Sequence, residues 1–258
     1  MIIVDKLCYL SKLRYVSPYE KFAFAMLTLI FCIVSRSIGM GVLVLILNAY
    51  LTIVRGGISA RRFVNLMLVP LAFLLLSTAA IIINFSHAPL DAFAVRIGDW
   101  YVTGSWTSIH RGVQMTITAL ASVSCLYFLS FNTTMTDILT VLRRLHVPPL
   151  IVELMLLIYR YIFVLLDVAY YITTSQSARL GYRNLSASYR SFAAMVQALF
   201  VRAMKRSRCL YDAMEARGYD GEIKVLEESR PVCKKNVILI AVCETVLLGV
   251  TIWMKLHP

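Results

Sequence analysis

Charge is scarce in this chain. Asp, Glu, Lys and Arg make up 16% of its 258 residues and 59% are hydrophobic, whereas soluble domains average about 25% charged residues. Mean hydropathy is +0.74. Sustained apolar–polar alternation is also missing, because the apolar runs are continuous, and this excludes a transmembrane β-barrel. Lipid then leaves only helices, whose backbone groups are satisfied within each segment. No Gly-x-x-x-x-Gly-Lys-Ser/Thr run occurs and none of the eleven glycines precedes a lysine, so no P-loop holds nucleotide here. The six cysteines, Cys8, Cys32, Cys125, Cys209, Cys233 and Cys243, form no Cys-x-x-Cys pair. That rules out a zinc ribbon or a disulfide framework and makes them small packing residues. The histidines are dispersed; His87 and His110 bracket a loop without metal-ligand spacing. The start, MIIVDK, has no basic leader or small-residue cleavage site, so no cleaved signal peptide is expected.

What is present is a series of membrane-length apolar runs. Ser17-Pro18-Tyr19-Glu20 reads as a helix start, with Ser17 as cap, Pro18 at the first helical position and Glu20 closing a capping box. The expected spans are about 18–35, 38–54, 64–84 and 113–131, with a last one at 236–258. The first two are joined by a tip of only two residues, where Arg36 can snorkel. A polar segment with Pro89, Asp91 and Gly98 separates the third from the fourth. Asn48 and Asn84 are expected to hydrogen-bond between helices.

One more run, Leu150 to Tyr171, is long enough to cross but carries Glu153, Arg160 and Asp167 on one stripe. The charge balance of the loops places it. Residues 175–235 hold twelve Lys or Arg against six Asp or Glu, and the N-terminal stretch and the 55–62 loop are basic too. The positive-inside rule puts all three in the cytoplasm if four spans precede residue 132 and 150–171 stays on the cytoplasmic face. The expectation is therefore an all-α polytopic membrane protein in the cell membrane, with about five transmembrane helices plus cytoplasmic amphipathic coupling helices. Residues 1–131 form the four-span membrane domain, 132–235 the cytoplasmic block and 236–258 the final span.

Within that block Thr134-Met135-Thr136-Asp137 resembles a second capping box, and Val147-Pro148-Pro149 ends the short helix it opens. Two related stretches follow, SARLGYR at Ser177–Arg183 and DAMEARGYDG at Asp212–Gly221. In the second, Leu210, Ala213, Met214 and Arg217 share a helical face and Gly218 supplies the left-handed stop. In the first, Ser175, Ala178, Arg179 and Tyr182 repeat the spacing, but Leu180 stands where the glycine is expected and Gly181 comes one step late, so that helix is expected to end one residue later. Small residues around an arginine admit a close surface and present the guanidinium as a bidentate donor. Either stretch alone could be a plain helix end with a dipole-friendly cation; two in one basic block point to two docking sites on two similar partners.

The block 131–224, with FNTTMTDILTVLRRLHVPPL, RYIFVLLDVAYYITTSQSARLGYR and SRCLYDAMEARGYDG, resembles the transmembrane T component of energy-coupling factor transporters, and most of all its CbiQ-type members. Ala216-Arg217-Gly218 matches the family's Ala-Arg-Gly motif in full, while Ala178-Arg179-Leu180 departs at its third position. The resemblance implies a scaffold without catalytic residues or cofactors. Its coupling helices would dock on two ATP-binding-cassette subunits through Arg179 and Arg217. It would also contact a small substrate-capture membrane protein, CbiM-like or another S component. Cobalt is the substrate the resemblance favours; nickel or a vitamin are the alternatives.

Other classes fit less well. A membrane enzyme needs several polar groups at one depth, and the spans offer Glu244, Asn48 and Asn84. A stand-alone secondary transporter should show repeated, interrupted spans. Nucleic-acid binding is not needed to explain a +12 charge that topology accounts for. Glu244, in the middle of the last span, is an intramembrane charge that could pair with a basic group, stay protonated or serve a pathway.

Overall fold

The computed structural model describes residues 3–82, 84–86, 93–97, 100–221 and 234–256. Among them the helices are α1 (Ile3–Leu10), α2 (Pro18–Ser35), α3 (Ile38–Tyr50), α4 (Ala60–Ile82), α5 (Trp106–Asn132), α6 (Met135–Arg144), α7 (Pro149–Ala178), α8 (Leu185–Glu215) and α9 (Lys234–Leu256). The chain divides into two compact units, residues 1–138 with 229–258, and residues 139–228. The boundary falls inside α6.

In the first unit α5 is the central post. It packs against α1, α2, α3 and α4, while α9 lies along α2 and touches α3. The core is small-to-medium apolar: Cys32, Met40, Val44, Ala121, Cys125 and Leu247 form one cluster. Phe24 meets Phe128 edge to face at 5.3 Å. Asn48 is fully buried and donates to Ser124 Oγ at 3.4 Å and Cys125 Sγ at 3.1 Å, an interhelical bond of the expected kind. Outward, α4 presents Val69, Phe73 and Leu76 on one face. Exposed apolar residues at helical spacing are what a lipid-facing side requires.

Six helices are long and apolar enough to cross a membrane: Pro18–Ser35, Ile38–Arg55, Ala60–Ile82, Trp106–Asn132, Pro149–Ala178 and Lys234–Ile252. This is a multi-pass membrane protein. Five of the six coincide with the expected spans, and the sixth is α7, the run expected from loop charge to be a cytoplasmic helix.

Local chemistry departs from expectation in three places. The helix starts at Pro18 with Ser17 at the cap position, but the Ser17 hydroxyl makes no capping bond, so the capping box is not formed. Thr134, by contrast, does cap α6, its Oγ accepting from Asp137 N at 3.3 Å. The segment after α4 is more than a polar loop. Strands β1 (Asn84–Ser86), β2 (Phe93–Ile97) and β3 (Trp100–Gly104) pair antiparallel in the order β1-β3-β2, with Phe85 and Val95 flanking Val102 in register. Asn84 is thus a strand residue paired with Thr103, outside any span. Helix α5 starts at Trp106, well before Val113, so His110 is helical. His87, Pro89, Asp91, Gly98, Glu222 and Cys233 lie outside the described residues.

A buried polar knot joins the segments around residue 132. Lys21 is 3% exposed, and its ammonium donates to Asn132 O at 2.7 Å and to Leu13 O at 3.2 Å. Ser11 Oγ donates to Asn132 Oδ1 at 2.6 Å, and Asn132 Nδ2 donates to Phe128 O at 2.8 Å. Gly56, which closes the π-turn Leu51–Arg55 after α3, accepts at its carbonyl from Lys12 N at 3.1 Å. A Cβ on Gly56 would stand 2.5 Å from Thr52 O and 2.6 Å from Asn132 Oδ1. Gly56→Ala is therefore expected to destabilise the protein by about 1–3 kcal/mol through overpacking. Lys21→Met, which leaves the Asn132 carbonyl bare while Leu13 O keeps its bond from Val16 N at 3.1 Å, should cost about 1–3 kcal/mol. Thermal unfolding in detergent reads both, and unchanged midpoints would show the knot to be incidental.

Candidate functional site

In the second unit α7 and α8 form an antiparallel helical hairpin. Near the turn Gln176 Nε2 donates to Ser191 O at 2.9 Å, and Ser191 Oγ donates to Gly181 O at 2.9 Å. At the far end Tyr219 donates to Glu153 Oε2 at 3.0 Å. That bond raises the Tyr219 pKa above its ordinary value, because the neighbouring carboxylate favours the protonated phenol. Tyr219 therefore stays a donor across the physiological range. Glu153 itself is buried at 4% exposure, whereas Arg160 and Asp167 of the same stripe are exposed. Between the two ends runs an apolar groove of about 470 Å³, with Leu154, Ile158 and Val164 of α7 on one side and Leu210 of α8 on the other. Arg202 and Arg206 are also in its lining.

The two Ala-Arg stretches close the two helices in the same way. After α7, Leu180 N bonds Ser177 O at 3.0 Å and Gly181 N bonds Gln176 O at 2.8 Å. After α8, Gly218 N bonds Glu215 O at 2.9 Å and Tyr219 N bonds Met214 O at 3.1 Å. Both are the paired bonds of a left-handed helix cap. The residue after the arginine takes the left-handed conformation in each, Leu180 at φ 60° and Gly218 at φ 75°. Ala178 is the last residue of α7 and aligns with Ala216, one past the last residue of α8. That is the one-residue delay suggested by the late glycine, but the left-handed position does not shift with it. Gly181 serves a different purpose. A Cβ there would lie 2.7 Å from Ser191 Oγ and 2.8 Å from Gln176 O, so its bareness lets the two helices meet.

The other sequence-derived candidates take up these positions. Arg179 and Ser175 line a second, smaller pocket together with Gln176 and Arg202. Ala178, Ala213, Ala216 and Arg217 are exposed, and Met214 is half-buried. Tyr182 is partly engaged, its hydroxyl donating to Gln176 Oε1 at 2.7 Å. Arg179 and Arg217 sit at opposite ends of the hairpin. Between them runs the 31-residue α8, about 45 Å of helix at 1.5 Å per residue. In the first unit Glu244 of α9 is 8% exposed, and neither carboxylate oxygen has a hydrogen-bond partner among the described residues. No group of three or more His, Cys, Asp or Glu among the described residues could hold a metal ion. The Lys21–Asn132 knot, the Glu153–Tyr219 latch and the presence of Arg202 in the pocket that Arg179 lines are features that helical spacing does not single out.

The structure defines a multi-pass helical membrane protein that carries a basic helical hairpin with an arginine at each of its two caps. The chain matches the CbiQ family, described as cobalt transport protein, over residues 11–227, and it belongs to that family. It is similar to an uncharacterised protein of Methanocaldococcus jannaschii, with 30% identity over 95% of this chain and 91% of that one. The cobalt transport protein CbiQ of Salmonella typhimurium is 29% identical over 85% of this chain and 97% of that protein. A putative fused cobalt transport protein CbiMQ of Methanocorpusculum labreanum is 26% identical over 96% of this chain and 41% of the fused one.

The closure of α7 carries a strain that can be relieved. A left-handed non-glycine residue costs roughly 1–2 kcal/mol. Leu180→Gly is expected to raise stability by up to about 1 kcal/mol once the entropy of the added glycine is subtracted. Gly181→Ala should lower stability by about 1–3 kcal/mol because the hairpin must open to admit the methyl group. Paired melting curves measure both. Destabilisation by Leu180→Gly would mean that the leucine side chain, not the cap, holds the turn.

Proposed function

We propose that the protein is the transmembrane coupling subunit of an energy-coupling-factor importer for cobalt, transmitting the motion of two cassette ATPases to a substrate-capture membrane protein. The observation that carries the reading is the duplicated closure. Two helix ends with the same hydrogen bonds each present an exposed arginine, at opposite ends of one hairpin. One small partner could not cover both, whereas two copies of one kind of partner would meet two copies of one kind of surface. In this mechanism Arg179 and Arg217 each hold acidic groups of an ATPase subunit. Ala178, Ala216 and Gly218 let that surface approach, supported by Leu210, Ala213, Met214, Ser175 and Tyr182.

Cobalt as the cargo follows the family's description and the CbiQ relatives. A CbiM-like capture protein is supported by the fused relative, whose name joins the two components in one chain. The apolar groove along α7 and α8 is the natural seat for a membrane partner, since its lining is mostly aliphatic, with Arg202 and Arg206 as its charged members. Catalysis belongs to the ATPases, consistent with a chain that has no P-loop of its own.

On this reading the N-terminus and the hairpin are cytoplasmic, and α7 lies on that face although it is long enough to cross. Arg160 and Asp167 are exposed near the middle of α7, where lipid would make both charges expensive. The charge of α8 points the same way, because a crossing α7 would move that basic helix outside. Glu244 is left for a partner's donor to meet, or for a proton to neutralise.

Co-purification from membranes tests the assembly. Wild type is expected to bring down cassette ATPases and a small membrane protein, and Arg179→Glu/Arg217→Glu to lose the ATPases alone. Arg217→Glu should weaken binding more than Arg217→Lys, which keeps the charge but loses the fork. Failure to recover any ATPase with wild type in mild detergent would remove the basis for this function. Topology has its own test: in a cysteine-free background Ser105→Cys should react with an impermeant reagent from outside and Ser188→Cys should not. Labelling at 188 would mean that α7 crosses.

A further inference from the structure

Arg202 belongs to neither Ala-Arg stretch, yet the hairpin places it in the same pocket as Arg179. The pocket measures about 300 Å³ and is lined by Tyr171, Ile172, Ser175, Gln176, Arg179 and Arg202. No carboxylate is among them. Gln176 is fully engaged, its amide nitrogen with Ser191 and its oxygen with Tyr182. Ser175 turns its proton to Tyr171 O at 2.9 Å, leaving its oxygen as an acceptor only. Among the described residues no side-chain hydrogen bond or ion pair engages the guanidinium of Arg179 or of Arg202. Both arginines are exposed, so they can meet a ligand without first breaking an internal pair.

Two cations with nothing negative between them define an anion site. Their placement says more, because Arg179 ends α7 while Arg202 lies well inside α8. An anionic surface held by both would grip both arms of the hairpin at once, not only the tip of one helix. We propose that Arg202 is the second cationic arm of the Arg179 docking site, and that the two together receive one acidic surface segment of the cassette ATPase. The proposal rests on the coupling-subunit reading above. It adds a specificity residue that lies outside the repeated motif. It also makes the two ends of the hairpin unequal, since the pocket of Arg179 contains a second arginine.

Arg206 supplies the control. It is one turn beyond Arg202 and carries the same charge, but it lines only the apolar groove. The experiment measures the affinity of the full-length protein in nanodiscs for the ATPase recovered with the wild-type complex. Arg202→Ala is expected to weaken binding about tenfold or more, the scale of losing a charge-assisted hydrogen bond. Arg206→Ala should stay within about twofold, as exposed charges away from a contact do. Arg202→Lys should recover part of the loss, and Arg179→Ala/Arg202→Ala should lose less than the product of the two single effects, because the arginines share one anionic segment. Unchanged circular dichroism and melting of each variant keep a folding defect from imitating the result.

Equal effects of Arg202→Ala and Arg206→Ala would reduce the finding to general surface charge and overturn the proposal. So would wild-type affinity in Arg202→Ala when Arg179→Glu abolishes binding, and in that case the coupling function would stand. If Arg202→Ala instead releases an anionic phospholipid, read as bound phosphorus, while ATPase affinity is unchanged, the anion is a lipid headgroup and the proposal fails. If wild type binds no ATPase, the function and the proposal fall together.

Discussion

The interaction on which the membrane unit most depends is the one that buries Lys21. An ammonium inside an apolar bundle is tolerable only if its donors are taken up, because an uncompensated buried charge costs several kcal/mol. Here they reach the carbonyls of Leu13 and Asn132, in the segment before α2 and at the last residue of α5. Asn132 in turn holds Ser11 and packs against Gly56, so three separate stretches of chain, around Ser11, Lys21 and Gly56, are fixed relative to one residue. α5 is the helix that most others in this unit pack on, and α6 starts three residues past its end. The knot thus fixes the point from which the chain departs toward the hairpin.

The hairpin solves a different problem. Two helices of about thirty residues joined by six could splay, and the groove between them is too open for packing alone to prevent it. Polar latches at both ends do so instead: Gln176 with Ser191 and Tyr182 near the turn, and Glu153 with Tyr219 at the other end. Each latch lies next to one of the arginine-bearing caps, since Tyr219 follows Arg217 by two residues and Gln176 precedes Arg179 by three. Both arginines therefore stand beside a tied-down helix end rather than a frayed one, where local unfolding would begin.

Much of this was legible in the sequence, for reasons that can be stated. Long apolar runs permit one structure in lipid, so the spans and the two-residue tip at Arg36 and Ser37 follow from hydropathy and length. The helix that begins at Pro18 is equally plain, but not its cap, because whether Ser17 bonds to the backbone depends on a rotamer that spacing does not determine. The sheet after α4 has a signal in the sequence: Phe93–Ile97 and Trp100–Gly104 are short runs with aromatic and β-branched residues, separated by a Gly-Asp pair that suits a two-residue hairpin turn. The latches have none. Glu153 and Tyr219 are 66 residues apart, and only the antiparallel fold of α7 on α8 brings them together. Lys21 was legible as a positive charge near a membrane end, but not as a buried one.

The displaced glycine shows how far a motif can be trusted when it is translated into backbone geometry. Read as letters, Ala178-Arg179-Leu180 is a damaged copy of Ala216-Arg217-Gly218. As structure, the two make the same pair of cap bonds and differ in which residue carries the left-handed conformation. Leucine tolerates it because the surrounding contacts over-determine the turn, with Gly181 pressed against Ser191 and Gln176 holding Tyr182. The glycine of this stretch stands one residue further on, where close approach demands it. What the two copies share is the arginine directly before the left-handed residue that closes the cap. The same cap can therefore close on different letters, provided that one residue accepts the left-handed conformation and the paired bonds form.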